Sequence, residues 1–408
     1  MKRIFFIVIL FSLAAAGCMP LAAVPVSSTS STATPAPTVE VLPVEPDGGI
    51  GDTPTDAPVE QPTSAPAPRE SIVALVGLDG NIALVNVASG EKKAITSDAA
   101  SYASGNAAPV VIYQNPKWSS DGRYLAFERQ IGTPNSEGYS FKYALMVYDF
   151  DTGETRAALD GQQTAGFAWK PASHLLSFAL ASQPNYFVTR GGVDASLATG
   201  ISAVDIDTMS GSRLVAPEGG YTLVNPNWSP DGQILSFEEL IYMEGRGNFA
   251  FYDFAAGKYT AWNKAIGAVS WFTDGSKLLH DNMNYTPTYT ERVFEIQRDG
   301  SGEVRLSPEA ENSYAYDPHY SPDGRQIVYI SVVGMDPDVS NELVLIDANG
   351  VTRPLTKLTQ VYNLTWTPDG QNLLLATGNY PELKTVLVSL DEGGQTPVSD
   401  GWQAVMRP

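Results

Sequence analysis

NPKWSSDGRYLAFE, residues 115–128, returns 110 residues later as NPNWSPDGQILSFE, residues 225–238. Four further segments follow the same order of an aromatic residue, a short turn and an apolar run. Their spacings are 51, 59, 43, 49 and 46 residues, measured between the aligned aromatic residues Trp118, Trp169, Trp228, Trp271, Tyr320 and Trp366. Repeats of this length are typical of solenoid turns or of the four-stranded blades of β-propellers.

Each copy predicts a β-hairpin. In the S-P-D-G turn, Pro presets φ, Asp accepts hydrogen bonds from nearby amides and Gly adopts positive φ. The runs that follow, such as ILSFE (234–238) and QIVYI (326–330), are rich in strand-forming residues. We therefore interpret four acidic residues as turn residues: Asp121, Asp231, Asp323 and Asp369.

A second hairpin with Gly near its turn follows each copy, so one repeat predicts four strands, here termed a to d. Helical periodicity is absent from these segments, and the pattern predicts an all-β propeller rather than a solenoid.

The two hairpins occur in unequal numbers. The first appears six times and the second seven times, because residues 81–96 (NIALVNVASGEKKAIT) are an additional copy. Residues 71–77 precede it as a strand b, whereas the matching strand a stands at the other end of the chain, in residues 401–408 (GWQAVMRP). We therefore predict a seven-bladed propeller whose N- and C-terminal strands share one blade, with six blades as the alternative.

The N-terminal segment carries features of export and anchoring. Lys2 and Arg3 precede an apolar run and small residues, as in a secretory signal peptide. The segment AAGC, residues 15–18, resembles a bacterial lipobox, which implies lipidation of Cys18; an ordinary signal peptide is the alternative. Cys18 is the single cysteine of the chain, so no disulfide forms within it.

These features divide the chain into three parts. Residues 1–17 are predicted to be a lipoprotein signal peptide. Residues 18–70, rich in Pro, Thr, Ser and Ala, are predicted to be a disordered tether, and residues 71–408 the propeller. The expected location is extracytoplasmic, at a bacterial membrane, with the protein acting as a monomer.

The charge balance argues against polyanionic partners. The 408 residues include 25 Lys plus Arg and 45 Asp plus Glu, a formal net charge of −20. Such a surface repels phosphate backbones, so we expect no nucleic-acid partner.

The repeat W-S-P-D-G-R-x-I-x-F, followed by an apolar strand with Asp and Gly at its end, resembles the WD40-like repeat of the TolB-family β-propellers, over about residues 71–408. The resemblance implies the fold. By analogy with TolB, which grips a peptidoglycan-associated lipoprotein, it also implies a protein or peptide ligand in the cell envelope. TolB itself has six blades and an additional N-terminal domain. This chain shows neither, so the analogy does not carry over whole.

Recognition is predicted at one end of the propeller. The a–b turns are uniformly tight, whereas the b–c connections vary from residues 129–143 to the short segment 378–384. The b–c and d–a connections emerge at the same end, and variable loops on a rigid scaffold often carry binding residues. The candidate ligand-binding residues are Tyr113, Tyr139, Phe167, Tyr186, Arg190, Tyr242, Arg246, Tyr285, Tyr289, Asp317, Tyr362 and Tyr380.

Two enzyme classes have related propellers, and each needs particular catalytic or metal-binding residues. Prolyl-oligopeptidase-like hydrolases need a Ser in a G-x-S-x-G turn, a motif that the chain lacks. Oligogalacturonate lyases resemble the repeat and use a His-rich metal site. The three histidines, His174, His280 and His319, are predicted at different heights of three blades, and only His319 is expected to be able to face the channel.

We therefore predict no catalytic residues, no metal site and no cofactor. The expected function is non-catalytic binding of an envelope protein or peptide through the b–c/d–a loop face. A carbohydrate-binding protein or a polysaccharide lyase is the alternative.

Overall fold

A computed structural model describes residues 70–101, 108–181, 199–218, 221–240, 247–284, 290–309, 313–333 and 341–408. The chain divides into two compact units, Met1–Arg69 and Glu70–Pro408, and the strands below all belong to the second. The predicted signal peptide, most of the tether and Cys18 lie outside the described residues.

The described residues form 28 β-strands and no α-helix. In chain order the first fourteen are β1 (Ile72–Val76), β2 (Ile82–Asn86), β3 (Lys92–Ala94), β4 (Val110–Trp118), β5 (Tyr124–Asn135), β6 (Gly138–Asp149), β7 (Thr155–Asp160), β8 (Thr164–Trp169), β9 (Leu175–Leu180), β10 (Ile201–Asp205), β11 (Ser210–Val215), β12 (Thr222–Trp228), β13 (Ile234–Leu240) and β14 (Asn248–Asp253).

The remaining fourteen are β15 (Lys258–Ala265), β16 (Val269–Trp271), β17 (Lys277–Asn284), β18 (Thr290–Gln297), β19 (Val304–Arg305), β20 (Ser313–Tyr320), β21 (Ile327–Val333), β22 (Asn341–Ile346), β23 (Thr352–Leu358), β24 (Val361–Trp366), β25 (Asn372–Thr377), β26 (Lys384–Ser389), β27 (Gln395–Asp400) and β28 (Trp402–Met406). No helix long and apolar enough to cross a bilayer is found in the parts of the chain given above.

The strands pair into six sheets. Four sheets take four consecutive strands each, namely β4–β7, β8–β11, β12–β15 and β24–β27. The fifth holds β16–β23, in which one parallel pair, Glu291 with Tyr314, joins two four-stranded units. The sixth has the order β28-β1-β2-β3, so the predicted pairing of the C-terminal segment with the first strand is confirmed.

The hairpin turns form as the sequence predicted. Asp121 Oδ1 accepts a hydrogen bond from Ser119 Oγ (2.6 Å) and another from the amide of Arg123 (3.1 Å). The same two contacts recur at Asp231, Asp323 and Asp369. The interpretation of these four aspartates as turn residues is confirmed, because each carboxylate bonds within its own turn.

Hydrophobic cores fill the spaces between neighbouring four-stranded units. Within the described residues, they join β1–β2 to β4–β6, β5–β6 to β8–β10, β9–β11 to β12–β14, β13–β14 to β16–β18, β18 to β20–β22, and β21–β23 to β24–β26. A further core joins β25 back to β1, β2 and β28. Every unit is therefore packed on both faces, which explains why all five residues of β1 are buried.

The units are ordered from inside to outside. The first strands, β4, β8, β12, β16, β20, β24 and β28, contact one another in sequence and are termed the inner strands. The last strands are the most accessible, and every residue of β3 and β19 is exposed. The inner-strand tryptophans also link the units: Trp169 Nε1 donates to Lys117 O (2.9 Å), and Trp228 Nε1 donates to Ser177 Oγ (3.0 Å).

Candidate functional site

A β-bulge recurs in the middle of the inner strands. In β4 the pairing with β5 shifts register between Gln114 and Lys117. Gly, Asn and Asp tolerate the left-handed conformation better than most residues. The bulge residues with positive φ are Asn115 (56°), Gly166 (98°), Asn225 (53°), Asp317 (53°), Asn363 (53°) and Gln403 (48°). The bulges therefore bring polar side chains to the same level of neighbouring inner strands.

Carboxylates of the second strands hold two of these bulges. Glu128 Oε2 accepts hydrogen bonds from Asn115 Nδ2 and Gln114 Nε2, both at 2.8 Å. Glu238 Oε1 accepts one from Asn225 Nδ2 at 2.8 Å. Both acids stand ten positions after the inner-strand aromatic residue, so the sequence repeat itself contains this signal.

An acid–imidazole pair lies on β20. His319 Nε2 is 2.9 Å from Asp317 Oδ1, and the amide of Asp317 donates to Asp281 Oδ2 at 3.1 Å. Burial disfavours the charged imidazole, but Asp317 and Asp281 outweigh this effect and raise the pKa of His319. The predicted site residue Asp317 therefore lies at a bulge of the inner strands, beside a protonatable side chain.

A cavity of about 600 Å³ extends along β4, β8 and β12. Its lining includes Lys117, Asn227 and Glu238 together with aromatic residues. The Lys117 ammonium donates to the carbonyl oxygen of Phe167 at 2.8 Å and lies 4.9 Å from the centroid of the Phe167 ring. As a whole residue, Lys117 is exposed to solvent. The protein atoms around its ammonium group lower the pKa of Lys117 by desolvation, and the negative charge of Glu128 partly offsets this effect.

Two of the predicted loop-face residues are packed inside the protein. Tyr113 is 5% exposed; its hydroxyl donates to Asp98 Oδ1 at 2.7 Å, and its ring meets Phe127 edge-on at 5.9 Å. Phe167 borders the cavity but is 1% exposed, and it packs in the core between two sheets. Their burial makes both residues part of the scaffold rather than of an open loop surface.

Tyr139 lies on a long hairpin rather than in a loop. The β5–β6 ladder runs without interruption to Asn135 and Gly138, so most of the predicted connection 129–143 is regular strand. The ring of Tyr139 stacks on Phe141 (5.9 Å between centroids), and Phe141 lies 6.2 Å from Tyr143. Because these three residues alternate along β6, their rings share one face of the hairpin.

The other predicted loop-face residues differ in their accessibility. Tyr362 is half-buried on β24, whereas Tyr380 is 66% exposed in the β25–β26 connection. The rest lie outside the described residues: Tyr186, Arg190, Tyr242, Arg246, Tyr285 and Tyr289.

The two ends of the sheets differ in the type of apolar side chain that they expose. Because neighbouring strands of a unit are antiparallel, the b–c connections lie at one end and the c–d connections at the other. Leu78, Phe141 and Tyr380 belong to b–c connections, with exposures of 45%, 36% and 66%. Met209 and Val351 belong to c–d connections. The b–c end is therefore where the exposed aromatic side chains lie, among the residues that the structure describes.

The three histidines have separate partners. His174 lies between Asp121 and Asp207, His280 contacts Glu303, and His319 contacts Asp317. His280 lies in the interior of β17 and is fully buried. Across the described ranges, no group of three or more His, Cys, Asp or Glu side chains is arranged to hold a metal ion.

Comparison with known proteins identifies similar folds but no family. No protein-family model and no curated protein matches the chain. Among solved structures, an oligogalacturonate lyase in complex with manganese has a TM-score of 0.53 at 16% identity, over 71% of this chain and 78% of that chain. A prolyl endopeptidase has a TM-score of 0.56 at 16% identity, over 83% of this chain and 50% of that chain.

TolB from Acinetobacter baumannii is also among the similar structures, with a TM-score of 0.46 at 16% identity, over 74% of this chain and 83% of that chain. Likeness at such low identity extends to the fold alone. The oligogalacturonate lyase is a β-propeller, so the all-β arrangement described above is a propeller-like fold.

Proposed function

Proceeding from this propeller-like fold, we propose that the chain forms a seven-bladed β-propeller in which β28 and β1–β3 share one blade. The support is the sequence of cores, which passes through every four-stranded unit and returns to the first. A ring of this kind leaves the first and last units without a free face. The inner strands then surround a central channel that contains the cavity beside Lys117.

The function that we propose is non-catalytic binding of a cell-envelope protein or peptide through the b–c/d–a end of the propeller. In this proposal Cys18 carries a lipid, and residues 18–70 hold a monomeric propeller away from an extracytoplasmic membrane surface. No cofactor takes part.

The observation that carries this proposal is the aromatic face of the β5–β6 hairpin. Tyr139 and Phe141 present stacked rings on the β5–β6 hairpin at the b–c end, with Tyr143 beside them, and Tyr380 is exposed at the same end. Aromatic side chains are frequent anchors of protein interfaces, because they bury much area and lose little conformational entropy on binding.

A capture experiment in the native envelope tests this function. Three versions of the full chain are compared: the unchanged protein, Tyr139→Ala/Phe141→Ala/Tyr380→Ala, and the matched control Met209→Ala/Val351→Ala at the opposite end. After chemical cross-linking, the captured material is identified by mass spectrometry. We expect one protein partner that the unchanged chain and the control capture equally and that the aromatic variant loses.

Equal capture by all three versions would show that the b–c end is not the binding surface. Capture of glycan in place of protein would favour the alternative of carbohydrate binding or polysaccharide lyase activity.

A further inference from the structure

Lys117 brings a charge into the cavity that its local contacts do not require. It immediately precedes the inner-strand aromatic residue Trp118, as Asn227 precedes Trp228. Both side chains reach the next inner strand: Lys117 Nζ donates to Phe167 O at 2.8 Å, and Asn227 Nδ2 donates to Val269 O at 3.1 Å. A neutral amide therefore makes the same link, which does not depend on the positive charge of Lys117.

Two carboxylates beside these inner strands accept hydrogen bonds from other groups. Glu128 accepts hydrogen bonds from the side chains of Gln114, Asn115 and Thr164. Glu238 accepts bonds from Asn225 Nδ2 and from the amide of Gly247.

Lys117 has no ion-pair partner among the described residues, where the ion-paired lysines are Lys264, Lys277 and Lys357. An ammonium has three donors, of which the carbonyl of Phe167 takes one. The cavity therefore contains a positive charge that can still accept a counterion.

The charges around the cavity favour a small, singly charged group. Phe167, Phe237 and Phe249 border the cavity, but their side chains are buried in the cores between sheets. Glu128 and Glu238 stand near the same inner strands, so a multiply charged anion such as a phosphate meets more repulsion there than a single carboxylate does.

We propose that a carboxylate group of the bound peptide enters the cavity between β4, β8 and β12 and pairs with Lys117. The carboxylate is either the C-terminus of the peptide or one of its acidic side chains. The inference rests on the proposed function, because it names the part of the partner that the channel recognises. Desolvation already lowers the pKa of Lys117, so a bound carboxylate should raise that pKa again.

Binding of three synthetic peptides to the full chain in detergent tests the pairing. The probes are acetyl-Ala-Phe-Leu with a free carboxylate, its C-terminal amide, and acetyl-Ala-Glu-Leu as the C-terminal amide. Binding is followed by tryptophan fluorescence, because Trp118 and Trp169 line the cavity. We expect at least one acidic peptide to bind about twofold to fivefold more tightly than the neutral amide, as for an ion pair with a solvent-accessible lysine.

The two acidic probes distinguish the two sources of the carboxylate. Preference for the first indicates a peptide C-terminus, and preference for the third indicates an acidic side chain. Lys117→Met should remove the preference, whereas Lys117→Arg should keep it. Lys170→Met is the matched control, because Lys170 also lies over an aromatic ring, that of Trp228 at 5.1 Å, and is not part of the cavity lining.

A readout without substitution is the pKa of the Lys117 ammonium by nuclear magnetic resonance, which should rise when the preferred acidic peptide is added. Equal affinity for acidic and neutral peptides, or an unchanged preference in folded Lys117→Met, would overturn the inference. Binding of glucuronate by a chain that binds none of the peptides would overturn it as well. None of these results changes the expected capture through the b–c end, so a failure here is distinguishable from a failure of the proposed function.

Discussion

His174 Nε2 lies 2.8 Å from Asp121 Oδ2, and this contact joins the β8–β9 turn to the β4–β5 turn of the neighbouring sheet. On the other side of the ring, Nδ1 lies 2.6 Å from Asp207 Oδ2. A neutral imidazole donates one hydrogen bond, whereas an imidazolium donates two. Burial lowers the pKa of His174, but the two carboxylates outweigh it and raise the pKa overall.

The contact predicts a pH-dependent contribution to stability. Because the folded-state pKa of His174 is raised, its contribution is complete below about pH 6.5, the usual imidazole value, and is lost as the pH rises through the folded-state pKa. Asp121 acts in the opposite direction. Burial raises its pKa, but hydrogen bonds from Ser119 and His174 outweigh this and lower it to about 2, so its contribution is lost as the pH falls toward that value.

Urea unfolding of the unchanged chain and of His174→Gln measures this contribution. The difference in free energy of unfolding should be larger at about pH 5 than at about pH 9. Both aspartates are 47% exposed, so added salt should reduce the difference. A difference that is the same at both pH values would contradict the charged state of His174.

Arg407 is predicted to stabilise the attachment of the C-terminal segment to the β4–β7 sheet. Its Nε donates to the carbonyl of Gly122 at 2.7 Å, and its guanidinium lies 3.8 Å from the centroid of the Phe150 ring. Arg407→Ala should lower the free energy of unfolding by about 1–2 kcal/mol, through loss of the hydrogen bond and the cation–π contact. The control is Arg305→Ala, because Arg305 pairs with Glu309 at the surface. Equal effects of both changes would contradict the role of Arg407.

The bulge at Asn225 predicts a local preference for glycine over a β-branched residue. Asn225 has a φ of 53°, which Val adopts only with strain, whereas Gly adopts it freely. Asn225→Val should be less stable than Asn225→Gly by about 1–3 kcal/mol in thermal or urea unfolding. At Asn227, two residues along the same strand, Val should be tolerated at least as well as Gly. The same order of stability at both positions would argue against the bulge.

Trp228 should contribute more to stability than an exposed aromatic residue does. Its ring stacks on Phe254 at 5.3 Å, and its Nε1 bonds to Ser177 of the neighbouring sheet. Trp228→Ala should lower the free energy of unfolding by about 3–5 kcal/mol, and Trp228→Phe by less, since the ring contact is partly kept. A loss below about 1 kcal/mol for Trp228→Ala would show that the units do not depend on this contact.

The repeat could be predicted from sequence because each hairpin is determined within a few residues. Ser119 and Asp121 close their turn with their own side chains, and Trp118, which precedes the turn, packs between sheets. The pairing of β28 with β1 followed from counting hairpins, because an unmatched strand at each terminus leaves one place for both.

The details of the candidate site depend on contacts between distant segments, which local patterns do not contain. Tyr113 is a core residue because Asp98 and Phe127 surround it, although its sequence neighbourhood is that of a connection. Lys117 is a candidate because β8 and β12 form a cavity with β4, an arrangement that its sequence neighbourhood does not contain. The β5–β6 hairpin is longer than the connection 129–143 predicted, because the ladder continues through Gly132 and Pro134, which pair with Phe141 and Tyr139.

Site-specific photo-cross-linking in cells tests whether a partner protein binds at the b–c end. A photoreactive amino acid replaces Phe141 or Tyr380 at that end, or Met209 or Val351 at the opposite end, one position at a time. We expect cross-links to one and the same protein from positions 141 and 380, and none from positions 209 and 351. Cross-links from positions 209 and 351 with none from 141 and 380 would contradict binding at the b–c end.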